Sequence, residues 1–325
     1  MSDHPDRRVA AIDLGGTRVK AGLVRDGVIQ TRDTTFLTLE GKTQDGTIDR
    51  LEAVVRGLCA GAGLGPADLA AVSIGAAGAV RFDEGVVVHS PNFPAWSHFP
   101  LRDLLADRLD CPVFLDNDAN AVTMGEALYG AGAGHRDFAL LTLGSGIGGG
   151  LFLDGRLYRG AQGMAGEIGH ATVEPNGFPC QCGNRGCLEQ YASANGLRNR
   201  VREDRLFGGL TDVAAADPDL PRQLYEAAMT GDPRCTEYFE RFGRYLAIGI
   251  GALLQVLDVP LVVLAGGLAR AWPAFLPTLL DELPTRGYRC INEAARVVPC
   301  ALWEDGGILG AAALFDEASR EAPAG

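Results

Sequence analysis

Lysine is almost missing from this 325-residue chain. Only Lys20 and Lys42 occur among 29 basic residues, so nearly all positive charge is carried by arginine. Basic residues are also outnumbered by 41 acidic ones, giving a net charge of −12. That balance argues against a basic face for duplex nucleic acid. No apolar run approaches the roughly 20 residues needed to span a bilayer. The apolar stretch after Arg7 and Arg8 stops at Asp13, too soon for a secretory signal. The expectation is a cytoplasmic protein without nucleic-acid or membrane partners. What the chain does have is glycine, with 44 residues, and eight cysteines. In a reducing compartment, clustered thiols read as metal ligands rather than disulfides.

The pattern of short runs predicts an α/β protein in two copies. RVAAIDL, a Gly15-Gly16 turn, TRVKAGLV, an Asp26-Gly27 turn and a run from Val28 read as three hairpin-linked strands. Thr47–Ala62 reads as a helix, LAAVSIG as a strand, Leu101–Leu109 as a helix, PVFLDN as a strand and Ala119–Tyr129 as a helix. The opening then repeats: DFALLTL, a Gly144-Ser145-Gly146 turn, GIGGGLFL, an Asp154-Gly155 turn and LYRG. Further on come a helix from Leu188, a helix over Cys235–Leu257, the strand PLVVLAGG, a helix near Trp272–Leu283, the strand RVVPCAL and a final helix. The expectation is a duplicated α/β architecture with two domains flanking a cleft. The first would span 1–117, with the last helix, about 306–321, packing back on it; the second would span 118–305.

Two glycine patterns mislead. Gly41-Lys42-Thr43 resembles the end of a P-loop, but Phe36 stands where its first glycine belongs. Gly144-x-Gly146-x-x-Gly149 fits the dinucleotide fingerprint, but GGLFLDGRLY lacks the helical period that must follow it. The better reading pairs Asp13-Leu14-Gly15-Gly16-Thr17 with Thr142-Leu143-Gly144-Ser145-Gly146 as phosphate-binding hairpin turns. Without Cβ atoms, backbone N–H groups can approach phosphate oxygens. Thr17 and Ser145 would add hydroxyl donors, and Asp13 would orient hydrated Mg²⁺. The bland alternative is a pair of tight turns that need glycines at positive φ. Gly266-Gly267, at a strand end, either lies against an adenine or merely turns the chain.

His170, Cys180, Cys182 and Cys187 follow the spacing His-x9-Cys-x-Cys-x4-Cys. Three thiolates and an imidazole form a closed tetrahedral set that suits structural Zn²⁺. The other five cysteines, in or near apolar runs, read as buried hydrophobes. Asp118, where a strand meets a helix, is either a general base or an ordinary helix N-cap. Glu167, His170 and Glu189 would be drawn together by a metal in that loop and would suit a ligand with many hydroxyls; the alternative is surface charge with no partner.

These residues together resemble the ROK family of bacterial sugar kinases and related repressors. The likeness is carried by DLGGT at 13–17, NFPAW at 92–96, NDAN at 117–120, TLGSGIGGG at 142–150, AGEIGH at 165–170 and CQCGNRGCLE at 180–189. It implies the actin-like, RNase H-like ATPase fold, with ATP and Mg²⁺ as phosphoryl donor and a hexose as acceptor. Asp118 would be the base. Asn92, Asn117, Asp118, Glu167, His170, Glu189 and Gly78 would hold the sugar, with His170 offering one ring nitrogen to zinc and the other to substrate. Family members are commonly dimers, and glucose is the favoured acceptor over fructose or an N-acetylhexosamine. A non-catalytic sugar-sensing regulator is the alternative of a different class. Ser145 stands where the family usually has Thr. Ser73–Gly78 lacks the proline of the usual Gly-x-Pro-Gly. Only twelve residues precede Asp13, where family repressors carry a helix-turn-helix.

Overall fold

The computed structural model describes residues 7–16, 18–36, 43–204 and 216–321. Three antiparallel strands open the chain: β1 (Arg8–Leu14), β2 (Arg18–Arg25) and β3 (Val28–Phe36). Asp26 and Gly27 both have positive φ, the conformation that matches a two-residue hairpin to the twist of its strands. β4 (Ala71–Ala76) and β8 (Val113–Asn117) add in parallel, giving the order β3-β2-β1-β4-β8.

Both faces of β1 are covered, which explains its unbroken apolar run. Ala10, Ile12 and Leu14 enter a core shared with α1 (Gln44–Gly61) and α2 (Leu101–Leu109). Val9 and Ala11 face Ile308, Leu309, Ala311 and Ala312 of the C-terminal helix, Gly306–Glu321. Strands β5 (Ala79–Arg81), β6 (Val86–His89) and β7 (Ser97–Phe99) form a small separate sheet. Helix α3 (Asp118–Tyr129) leaves β8 directly.

A second five-stranded sheet repeats the plan. β9 (Phe138–Leu143), β10 (Ile147–Leu153) and β11 (Arg156–Leu157) precede two parallel additions, β12 (Leu261–Ala265) and β13 (Arg296–Pro299). Its order is β11-β10-β9-β12-β13, the same pattern of three leading strands and two parallel ones. Asp154 and Gly155 again have positive φ. The duplicated α/β plan expected from the sequence is therefore present. Further helices among the described residues are α4 (Ala194–Asp204), α5 (Leu220–Met229), α6 (Pro233–Leu257), α7 (Trp272–Glu282) and α8 (Arg289–Ala294); the C-terminal helix is α9. Among the described residues no helix is long and apolar enough to cross a membrane.

The chain divides into two compact units. The first comprises Met1–Arg136, Gly150–Ala165 and Ala301–Gly325; the second comprises Asp137–Gly149 and Gly166–Cys300. Asp118 thus lies inside the first unit. α3 packs there because Gly125 and Gly310 let it and α9 meet backbone to backbone: a Cβ on Gly310 would fall 2.1 Å from the Ala121 carbonyl.

Local details differ from expectation. Of the LYRG run only Leu157 lies in a strand, the two-residue β11, and Arg159 enters a buried ion pair instead. The helix expected from Leu188 is a single 3-10 turn over Leu188–Gln190, and the α-helix begins at Ala194. Cys59, Cys111, Cys235 and Cys300 are buried, but Cys290, on the short α8, is exposed.

Candidate active site

In the first unit the loops around Asp118 interlock. Asn117 is the N-cap of α3: its Oδ1 accepts from Ala119 N at 2.8 Å and Asn120 N at 3.2 Å. The capping role therefore belongs to Asn117, and Asp118 is the first helical residue, half-buried. Asp118 Oδ1 accepts from Ala119 N at 2.9 Å. Asn117 Nδ2 also donates to the Gly78 carbonyl at 2.9 Å, tying the proline-free loop to the start of α3. Gly78 has φ +135°, and a Cβ there would fall 2.5 Å from the His89 carbonyl, so only glycine fits.

Beneath this turn lies a buried charge network that the sequence reading missed. Asp116 is fully buried; its Oδ1 accepts from Asn117 N at 2.7 Å and Asn120 Nδ2 at 2.9 Å. Its Oδ2 accepts from Arg159 Nε at 2.7 Å. Arg159 also donates to the largely buried Glu317 of α9, and its guanidinium lies 4.0 Å from the Phe82 ring centroid. Removing one member of such a network leaves buried charge without a partner. Arg159→Met is therefore expected to lose about 3–5 kcal/mol in urea unfolding. The triple variant Asp116→Asn/Arg159→Met/Glu317→Gln is expected to recover part of that loss.

The first glycine turn is dictated by space. Gly15 and Gly16 do not have positive φ, so the bland reading of them as left-handed turn residues does not hold. A Cβ on Gly16 would fall 2.6 Å from Asn92 Cγ, which brings the NFPAW loop against the turn. In that loop Phe93 and Trp96 are buried and stack with centroids 3.8 Å apart. Thr17 lies outside the described residues. Asp13 pairs in register with Lys20, with Oδ2 3.7 Å from Nζ. Gly307 of α9 also leaves room for Asp13, since a Cβ there would meet Asp13 Oδ2 at 2.5 Å. Burial pushes the Asp13 carboxyl up, against the pull of Lys20.

The second unit holds the corresponding turn. Gly144 N donates to the Gly146 carbonyl at 3.0 Å. Ala194 N donates to the Gly144 carbonyl at 2.9 Å, and Asn195 N to the Ser145 carbonyl at 3.1 Å. Neither glycine has positive φ. Gly144 faces open space, whereas a Cβ on Gly146 would fall 2.3 Å from Glu189 Oε2. Thr142 lies beside Ala265 in the β9–β12 register. Gly266 has φ +88°, and a Cβ there would fall 2.4 Å from the Leu143 carbonyl, so only glycine fits. Gly267 borders open space.

The candidate metal ligands converge. One ligand atom each from His170, Cys180, Cys182 and Cys187 lies within 4.8 Å of the others. Cys180 Sγ is 3.6 Å from His170 Nδ1, and Cys182 Sγ is 3.6 Å from Cys187 Sγ. A tetrahedral site with metal–sulfur bonds of about 2.3 Å has edges of about 3.8 Å, so the donor set fits such an ion. Burial pushes the Cys180 and Cys187 thiols up. A coordinated cation would reverse that, since it binds the thiolate. His170 Nδ1 faces the sulfurs and stands 3.7 Å from Glu189 Oε1, while its Nε2 faces Glu167 Oε2 at 3.8 Å. The sequence-expected trio of Glu167, His170 and Glu189 is thus assembled around one imidazole.

With this geometry in view, residues 9–318 match the ROK family. The chain belongs to the ROK family. This ROK protein is 36% identical to the glucokinase of Thermotoga maritima, covering 96% of this chain and 98% of that one. The crystal structure of a ROK hexokinase from Thermus thermophilus superposes with a TM-score of 0.79 at 31% identity, covering 96% of this chain and 99% of that one. A ROK family glucokinase from Streptomyces griseus, in complex with glucose and AMPPNP, gives 0.79 at 33% identity, covering 94% and 98%. The duplicated fold of this ROK chain is thus that of the actin-like sugar kinases.

Proposed function

We propose that this ROK protein is an ATP-dependent hexose kinase that converts glucose to glucose 6-phosphate. The observation that carries the reading is Asp118 at the start of α3, relieved of the capping role by Asn117. Asp118 accepts the proton of the 6-hydroxyl as that oxygen attacks the γ-phosphoryl group. The O–H bond breaks as the new O–P bond forms, and ADP leaves with the bridging oxygen. In the first unit, Asn92, Asn117, Asp118 and the Gly78 loop take the hexose. In the second, Glu167, His170 and Glu189 do.

Backbone N–H groups of Gly15, Gly16, Gly144, Ser145 and Gly146 take phosphate oxygens, with Thr17, Thr142 and Ser145 adding hydroxyls. Gly266 and Gly267 border the adenine. Asp13 would hold hydrated Mg²⁺, which supplies charge neutralisation when bound. His170, Cys180, Cys182 and Cys187 would hold structural Zn²⁺, which leaves no ligand position for a reactive water. The same reading makes the protein a cytoplasmic homodimer.

An ADP-release assay over glucose, mannose, fructose, N-acetylglucosamine and N-acetylmannosamine tests this. The expected result is the highest kcat/KM with glucose. Preference for an N-acetylhexosamine or fructose would move the acceptor, and no ADP release with any sugar would reject the kinase.

A further inference from the structure

We propose that Lys20 is the side-chain cation of the phosphate site, contacting the nucleotide's phosphates and stabilising the transferring phosphoryl group. The inference rests on the kinase reading above and assigns a residue to it. A chain with net charge −12 must concentrate positive potential where it binds a polyanion. Backbone amides and Mg²⁺ supply part of it, but Asp13 puts a carboxylate at the same turn. Lys20 answers that carboxylate directly: the two residues are register partners on β1 and β2, with Nζ 3.7 Å from Oδ2. Both side chains lie on the face of β1 and β2 that also carries Val9, Ala11 and Val24, the face covered by α9. They sit at the end of that face, next to Gly15 and Gly16.

Two other cations are near, and neither fits as well. Arg32 is committed to Asp305 through two hydrogen bonds. Arg18 is exposed, and its charge favours the ionised Asp13 less than that of Lys20 does. Lys20 keeps about a third of its side-chain surface accessible. Its ammonium is a compact point charge on a flexible stem, a form well suited to phosphate. One of the chain's two lysines is thus placed where a lysine, rather than an arginine fork, is chemically useful.

The test uses the full-length protein, with Lys20→Met, Lys20→Arg and Arg18→Met compared to wild type. Kinase kinetics are measured with glucose and ATP, and ADP binding is measured by calorimetry with Mg²⁺ and in Mg²⁺-free buffer without chelator, which leaves the Cys/His site loaded. Lys20→Met is expected to lose about 10²-fold in kcat/KM for ATP. Its KM for glucose should stay within about twofold, and Lys20→Arg should recover part of the loss. Without Mg²⁺, where no divalent ion carries the phosphates, ADP affinity should fall about tenfold or more. Wild-type values for Lys20→Met would overturn the proposal. So would the loss appearing in Arg18→Met instead, or equal losses for both substrates together with a lowered Tm. Should wild type phosphorylate no sugar, the kinase reading fails, while the ADP measurement still decides whether Lys20 meets phosphate.

Discussion

An Asp118→Asn enzyme turns over glucose about 10²–10⁴-fold more slowly than wild type, with little change in KM for either substrate. The amide keeps the size of the carboxylate and can still accept from Ala119 N through its oxygen. The α3 cap is untouched, because Asn117 makes it. What the amide cannot do is take a proton from the attacking hydroxyl. Steady-state kinetics and thermal unfolding, measured together, check this: kcat collapses while Tm stays within a few degrees. Wild-type turnover in the variant would reject Asp118 as the base. Collapse of Tm alongside kcat would mean that the carboxylate acts through the fold instead.

Removing the proposed structural zinc should be comparably severe, and in a different parameter. The loop 166–189 is held largely by turns, with isolated bridges at Thr172–Cys187 and Pro179–Arg185. Three cysteines and His170 close it around the ion site. Losing a structural metal is among the few changes that cost more than about 4 kcal/mol. In a unit of this size each kcal/mol moves Tm by about 2–4 °C, so a fall of roughly 10 °C is expected on verified chelation. His170 and Glu189 belong to the same cluster, so glucose affinity should weaken by roughly 100-fold. Calorimetry on chelated and zinc-restored protein reads both effects without relying on turnover. Unchanged glucose binding in metal-free protein would show that the loop holds its shape unaided.

How much of this was legible beforehand follows from where each signal lies. The hairpin turns were readable because Asp26-Gly27 and Asp154-Gly155 are local devices: two adjacent residues at positive φ suffice. The convergence of His170, Cys180, Cys182 and Cys187 was readable because all four fall within eighteen residues. The glycine turns were located correctly but for an incomplete reason. Gly16 and Gly146 are there to admit Asn92 and Glu189, each more than forty residues away, and no local pattern announces a distant neighbour. Asp116 and Arg159 were missed for the same reason. Each looked like the polar end of a strand, and only the tertiary fold joins them to Glu317. The short strands β5–β7 were missed because three or four residues are too few for a period to show.

The threading of the first unit has a consequence for how the protein is made. Its three segments end with Ala301–Gly325, so the unit that begins the chain is finished only by the chain's last part. Val9, Ala11 and Val24 wait for Ile308 and Leu309, and the Asp116–Arg159 pair waits for Glu317. Domains often mature in order as they leave the ribosome, N-terminal first. Here that order is closed to the first unit, whose sheet keeps one apolar face uncovered until α9 has been made. A polypeptide stopped anywhere before Gly306 would expose that face, a mark by which quality control could tell an unfinished molecule from a complete one.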